Sequence, residues 1–354
     1  MRKGGKTSLN LLRRKGAEMK KTITFVSIVL FLGGIFLWPI GPAGAKAKKY
    51  ILIGSTQTGS SHYAYAVAAT KAINQYVSEV NASVVETGAS VDNIKRMRAG
   101  QLDIGAVVTT KTMYEAWKGV GIWKDMKTPD LRMLWVYTKS IDYYVIREDS
   151  GVKKLEDLNG KKFNAGMRGS ASEADAKQVF EILGIKPDYY IGGTADAVAA
   201  VKDGRIAGYV KTGAGLQLDA STLDVMTMTK IRLIPMTSEQ VKKVKEAVPY
   251  IPFFNVPAGQ IKAMPSQPEY TSWGMVVCAV AMKDFPDDLA YKAVKAVVKG
   301  RDMIISAFPA HADVDVAKDT PELTMIPLHA GAFRAYKELG VKIPESAIPA
   351  EVKK

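Results

Sequence analysis

The chain alternates short apolar runs with polar loops and periodic segments. The first run, Tyr50-Ile51-Leu52-Ile53, has β-branched character and ends at Gly54, so it predicts a buried strand. Seven small or polar residues follow over 55–61, and then Tyr63, Val67, Ala68 and Ile73 recur at helical spacing. The same strand, polar loop and helix return twice. A strand over 82–86 leads through Thr87-Gly88-Ala89-Ser90 into a helix over 91–99, with Ser90 as N-cap and Gly100 as stop. A strand over 161–165 leads through Gly166-Met167-Arg168-Gly169-Ser170-Ala171-Ser172 into a helix over 173–183, stopped by Gly184.

A third strand over 103–108 and a helix over 111–118 complete a βαβαβ alternation, which implies a parallel sheet with helices on both faces. Strands over 131–137 and 142–147 follow, and the four residues between them are where the chain crosses to a second domain. That domain has strands over 188–191, 206–210 and 231–234, a helix over 194–202 capped by Thr194, and a helix over 238–247. Residues 248–268 have no period and predict a long ordered connection. The apolar strand over 272–282 is the return crossing, and helices over 286–299, 302–308 and up to Leu339 belong to the first domain. The predicted architecture is two α/β domains joined by two crossover strands, with a central cleft at the carboxyl ends of the strands. The lobes are 46–138 with 270–354, and 139–269.

The N-terminus changes this picture. Lys20-Lys21, an apolar run over 23–40 and Gly41-Pro42-Ala43-Gly44-Ala45 make a secretory signal peptide over 1–45, with cleavage after Ala45. An uncleaved anchor is the alternative, since the run is near the length of a spanning helix. Without its eight Lys/Arg and one Glu, the formal charge falls from +14 to +7. Basic residues form no stripe with interleaved aromatics, so no nucleic-acid partner is expected. The single cysteine, Cys278, lies in an apolar run, which excludes an internal disulfide. A freely diffusing periplasmic protein fits best.

Catalytic signals are weak. His62, His311 and His329 are far apart and lack partners at metal-ligand spacing. No nucleophile elbow, phosphate loop or Cys/His pair is present, so neither an enzyme, a cofactor nor a metal is expected. What the chain does offer is hydroxyls at strand ends. Ser55, Thr56, Ser60 and Ser61 come from the first loop, Thr87 and Ser90 from the second, and Thr109 and Thr110 from the third. Ser170, Ser172, Lys211 and Thr212 come from the second domain. Together with free helix N-terminal amides they predict a site for a carboxylate. Arg168 stands between glycines at a helix start, where it opposes the dipole, and is the predicted anchor for an anionic ligand. Tyr63, Tyr137 and Trp273 are candidates for an apolar wall, with core packing as the simpler role.

The chain resembles the TAXI family of extracytoplasmic solute receptors, which serve TRAP-type tripartite transporters. The resemblance rests on Ile53-Gly54-Ser55-Thr56-Gln57-Thr58-Gly59, on Glu86 to Asn93, on Ala99 to Ile104, on Arg147 to Gly151, on Leu158-Asn159-Gly160-Lys161, on Gly166 to Ser172, and on Pro327 to Ala332. It implies a bilobed type II periplasmic-binding-protein fold. It further implies capture of a small carboxylate, a glutamate-like amino acid or dicarboxylate, for delivery to the membrane subunits of the transporter. The rival reading is an enzyme on the same bilobed fold acting on a small exported metabolite.

Overall fold

The computed structural model describes residues 48–353, so the predicted signal peptide lies outside the described residues. The first lobe opens with β1 (Lys49–Gly54), α1 (Ser61–Tyr76), β2 (Val80–Val85), α2 (Ser90–Arg98), β3 (Ile104–Thr109) and α3 (Thr110–Lys118). β1 pairs in parallel with both β2 and β3, as the alternation predicts. The chain then enters β4 (Leu131–Arg147), a single strand of 17 residues.

β4 corrects the expectation of two strands with a crossing loop. Its middle residues pair antiparallel with the return strand β10 (Tyr270–Met282), Thr138 opposite Val277 and Ile141 opposite Gly274. The ladder satisfies the backbone there, so the polar Thr138 and Ser140 stay buried in the sheet. β3, β10 and β4 therefore run side by side through the centre of the sheet, with β1 and then β2 beyond β3.

Past the crossing, the second lobe adds β5 (Lys162–Phe163), α4 (Ala171–Leu183), β6 (Asp188–Tyr189), α5 (Thr194–Lys202), β7 (Gly208–Thr212), α6 (Ala220–Met226), β8 (Ile231–Leu233), α7 (Ser238–Ala247) and β9 (Phe253–Val256). The distal half of β4 is flanked by β7 and β8. The strand predicted over 206–210 runs further, and Lys211 and Thr212 close the β7 ladder against Tyr143 and Asp142. The aperiodic connection contains β9, which pairs with the start of β10.

The chain returns through β10 to α8 (Asp287–Lys299), α9 (Arg301–Ala307), α10 (Val316–Leu323) and α11 (Ala330–Glu338). α10 was not foreseen; it has 8 residues and Pro321 inside it. His329 caps α11, its Nδ1 accepting from the Gly331 amide at 3.2 Å. Among the described residues no helix is long and apolar enough to cross a membrane.

Tyr65 of α1 stacks on Tyr137 of β4 at 3.5 Å between ring centroids, and the Trp135 Nε1–H donates to the Tyr65 hydroxyl at 2.6 Å. Tyr137 and Trp273 are fully buried and belong to the core, while Tyr63 is half-buried at the surface of α1. Cys278 is buried in β10, donates to the Val108 carbonyl at 3.2 Å, and has its thiol pushed far up by burial. A native thiol assay at pH 8 is therefore expected to leave Cys278 unmodified until denaturant is added. Rapid labelling of the folded chain would contradict this packing.

Candidate functional site

Five helix N-termini meet at one cavity between the lobes. Ser60 caps α1, Thr109 caps α3 and Ser170 caps α4, each side chain accepting from an amide in the first turn. α2 begins differently. Ala89, not Ser90, is its N-cap, with φ at 64° and no side-chain cap. It is the one non-glycine residue of positive φ among the described residues, a strained backbone of the kind that collects at ligand sites. Ser90 is thereby released from capping. It is 2 % exposed, lines the cavity, and its hydroxyl has no partner among the described residues. α5 likewise starts at Thr194 with Gly193 as its cap, and Gln57 of the first lobe takes the Thr194 amide.

The cavity gives about 50 Å³ of space to a water-sized sphere. Eight predicted residues line it: Thr56, Ser60, Ser90 and Thr109 from one lobe, and Ser170, Ser172, Lys211 and Thr212 from the other. Their availability differs. Thr109 donates to the Thr112 hydroxyl at 2.9 Å, and Ser172 and Thr212 both lie 2.9 Å from Asp142 Oδ1. Ser90 and Ser170 keep a hydroxyl hydrogen for a ligand, and the amides of Ser90, Ala171 and Ser172 have no partner among the described residues. The remaining wall is mixed, with apolar Val107, Met275 and Val277 beside His62, Asn164, Thr194 and Tyr209.

Three predicted hydroxyls are used for structure. Ser55 donates to the Val85 carbonyl at 2.9 Å, Thr87 donates to the Ser55 carbonyl at 2.8 Å, and Ser61 accepts from the Ala220 amide at 3.0 Å. Thr110 is buried in the first turn of α3 and does not line the cavity.

Arg168 is also not brought to the cavity. Its side chain is exposed and lines an outer groove with Glu86, Asp92 and Arg96. The reason lies in the backbone of its loop. Gly169 presents its carbonyl across the cleft to the amides of Val91 and Asp92 at 3.1 and 3.2 Å, which turns the Arg168 side chain outward. The loops touch so closely that a Cβ on Gly88 would lie 2.8 Å from the Arg168 carbonyl oxygen. Arg168→Ala is expected to leave ligand affinity within about twofold by calorimetry, as befits an exposed charge. A tenfold loss would return Arg168 to the site.

Sequence reasoning missed three charged or titratable groups at this cleft. Asp219, the N-cap of α6, is buried and reaches across to α1. Its Oδ2 accepts from the Ser61 amide at 2.8 Å and the Ser60 hydroxyl at 3.1 Å, and its Oδ1 lies 3.4 Å from Lys211 Nζ. Burial opposes ionisation of Asp219, but Lys211 and the donors around it outweigh burial and hold the carboxyl below the usual range. His62 bridges Tyr137 at 2.9 Å and the Gly213 carbonyl at 3.0 Å, and burial pulls its pKa down to about 4. It is neutral at pH 7, with Nε2–H donated to Gly213. The third group is Asp142, buried beneath Ser172 and Thr212, with Oδ2 unpartnered and a pKa pushed up by burial to about 7. Only spacing near a loop could have signalled His62; nothing local marks Asp142 or Asp219.

A second interlobe contact lies beside the cavity. Lys111 of α3 donates to Asp175 of α4 at 2.7 Å and to Glu115 at 2.8 Å, all three buried. Burial acts to lower the Lys111 pKa, but the two carboxylates outweigh it and hold the ammonium charged. No group of His, Cys, Asp and Glu able to hold a metal occurs among the described residues.

Two α/β lobes closed over a cavity ringed by helix N-termini define the bilobed fold of periplasmic binding proteins. The chain belongs to the NMT1-like family, which it matches over residues 53–340. Solved structures of similar fold include malate-bound MatC from Rhodopseudomonas palustris, at TM-score 0.52 and 12 % identity, covering 75 % of this chain and 89 % of that one. The periplasmic aliphatic sulphonate-binding protein SsuA from Escherichia coli is similar at TM-score 0.40 and 14 % identity, over 82 % and 84 % of the two chains. A TctC solute-binding protein from Polaromonas is similar at 0.43 and 16 %, over 75 % and 90 %. SsuA and the TctC protein are described as binding proteins. The MatC likeness bears on the fold alone.

Proposed function

We propose that this protein is an exported solute receptor that captures a small carboxylate between its lobes. The observation that carries the reading is the convergence of Ser60, Ser90 and Ser170 on one cavity. Free amides and hydroxyls at the starts of α2 and α4 suit an anion, because the helix dipoles and unpaired N–H groups add there. The ligand would touch both lobes and so favour the closed form. The lobe division at 138/139 and 269/270 is part of this proposal; the two long strands β4 and β10 support it by running through the boundary.

The receptor would act in the periplasm and hand its ligand to the membrane subunits of a TRAP-type transporter, in the manner of the TAXI receptors. Uptake assays in vesicles distinguish this from ATP-driven import: the proposal expects uptake to need an ion gradient and no ATP. For capture itself, the test is thermal shift of the mature chain against a panel of small carboxylates. At a hundred times Kd a ligand adds about 2.7 kcal/mol of stability. Ser90→Ala is expected to reduce that shift, and a chain unmoved by every carboxylate would remove the proposal.

A further inference from the structure

We infer that the ligand carries one carboxylate only, because Asp219 already holds the second anion position of the cleft. This rests on the capture of a carboxylate proposed above and narrows its class.

Asp219 does at α1 what a ligand carboxylate would do. It comes from the opposite lobe, takes the Ser61 amide and the Ser60 hydroxyl, and stands opposite a lysine. The α1 N-terminus, which the sequence offers as an anion site, is therefore filled by the protein's own carboxylate. Ser61 returns the contact by accepting from the Ala220 amide at 3.0 Å. The two lobes thus cap each other's helices.

Charge bookkeeping in the cavity follows from this. Among the described residues Lys211 is the one cationic side chain that lines it, and its charge is matched by Asp219. His62 is neutral, and Asp142 beneath the floor adds no positive charge. One ligand carboxylate can still be balanced by the starts of α2 and α4, where Ser90 is buried, faces the cavity and has no partner among the described residues. A second carboxylate would be a buried charge with no unmatched cation, which is costly. Val107, Met275 and Val277 give the wall an apolar part beside the polar Asn164, Thr194 and Tyr209, and the centres of water-sized spheres have about 50 Å³ of space there. A monocarboxylate fits this charge pattern.

Titration calorimetry of the mature chain with chain-matched pairs, butanoate against succinate and pentanoate against glutarate, tests the inference. The expected result is that each monocarboxylate binds at least about tenfold tighter than its dicarboxylate, a gap of about 1.4 kcal/mol. In Asp219→Asn, Lys211 loses its counter-charge, and the dicarboxylate is expected to gain at least about tenfold relative to the monocarboxylate. Succinate binding as tightly as butanoate in the unaltered chain overturns the inference while leaving carboxylate capture intact. Failure of all four acids and of every other carboxylate removes both. Should Asp219→Asn not fold, the ratios in the unaltered chain still decide.

Discussion

Replacing Lys111 by Met is expected to destabilise the folded chain by roughly 3–5 kcal/mol, the usual cost of removing one partner from a buried charge cluster. For a chain of this size that is roughly 6–10 °C in Tm. Lys111 is 5 % exposed and, among the described residues, is the sole cation within reach of Asp175 and Glu115, so its loss strands two buried carboxylates. Asp175 Oδ2 already lacks a partner. Only Tyr250, donating to Glu115 at 3.2 Å, would remain. The loss should shrink as pH falls, because burial already pushes the Asp175 carboxyl up and it takes up a proton. Lys111→Met with Glu115→Gln and Asp175→Asn should recover most of it, since replacing a whole buried cluster by neutral groups is often harmless. Because Lys111 and Asp175 lie on opposite lobes, small-angle scattering of the single variant should also show a more open molecule. A single variant melting within about 1 °C of the parent would show that the cluster is not held by this lysine.

Lys111 also marks where sequence reading reaches its limit. Its i,i+4 relation to Glu115 is legible; Asp175, 64 residues on, is not. The same division holds across the molecule. Strand and helix identities followed from apolar periodicity and caps, because these are local. The convergence of Ser60, Ser90 and Ser170 followed from topology, since parallel strands put their carboxyl ends and the next helix starts on one edge. What failed was orientation. Arg168 sits in the right loop and points the wrong way, because the loop's carbonyl at Gly169 is what closes on α2. Ser55 and Thr87 sit on the right edge but hold the backbone together. The missed helix α6 carries the residue that most changes the chemistry. Its 7 residues are too few for a periodic signal, and Asp219 looks like any polar cap until the other lobe is in place.

Asp142→Asn is expected to become increasingly stabilising relative to the parent as pH rises from 4 to 8, by up to roughly 4 kcal/mol. The geometry gives the first reason. Asp142 Oδ1, the Ser172 hydroxyl and the Thr212 hydroxyl form a triangle with sides of 2.9, 2.9 and 2.6 Å. Two hydroxyl hydrogens cannot fill three contacts, and a protonated carboxyl supplies the third. The electrostatics agree: burial pushes the Asp142 pKa to about 7, against the hydrogen bonds from Ser172 and Thr212, with Asp175 raising it and Lys211 lowering it. In the unfolded chain the same group releases its proton near its ordinary value of 3.8. Between these values the folded state binds the extra proton, so the contribution is present at low pH and lost as pH rises through 7. His62 has the opposite sign. Its folded pKa of about 4 lies below 6.5, so the unfolded state binds the extra proton and stability is lost as pH falls through that window. His311 and His329, lowered by burial, act with His62, and Asp175, raised by burial, acts with Asp142. The parent therefore has opposed slopes between pH 4 and 6.5 and a shallow profile. Asparagine keeps the shape of a protonated carboxyl and removes the falling arm, so urea melts at pH 4.5, 6 and 8 should diverge steadily from the parent. Parallel profiles would mean that Asp142 is ionised in both states and that its triangle is held by the two hydroxyls alone.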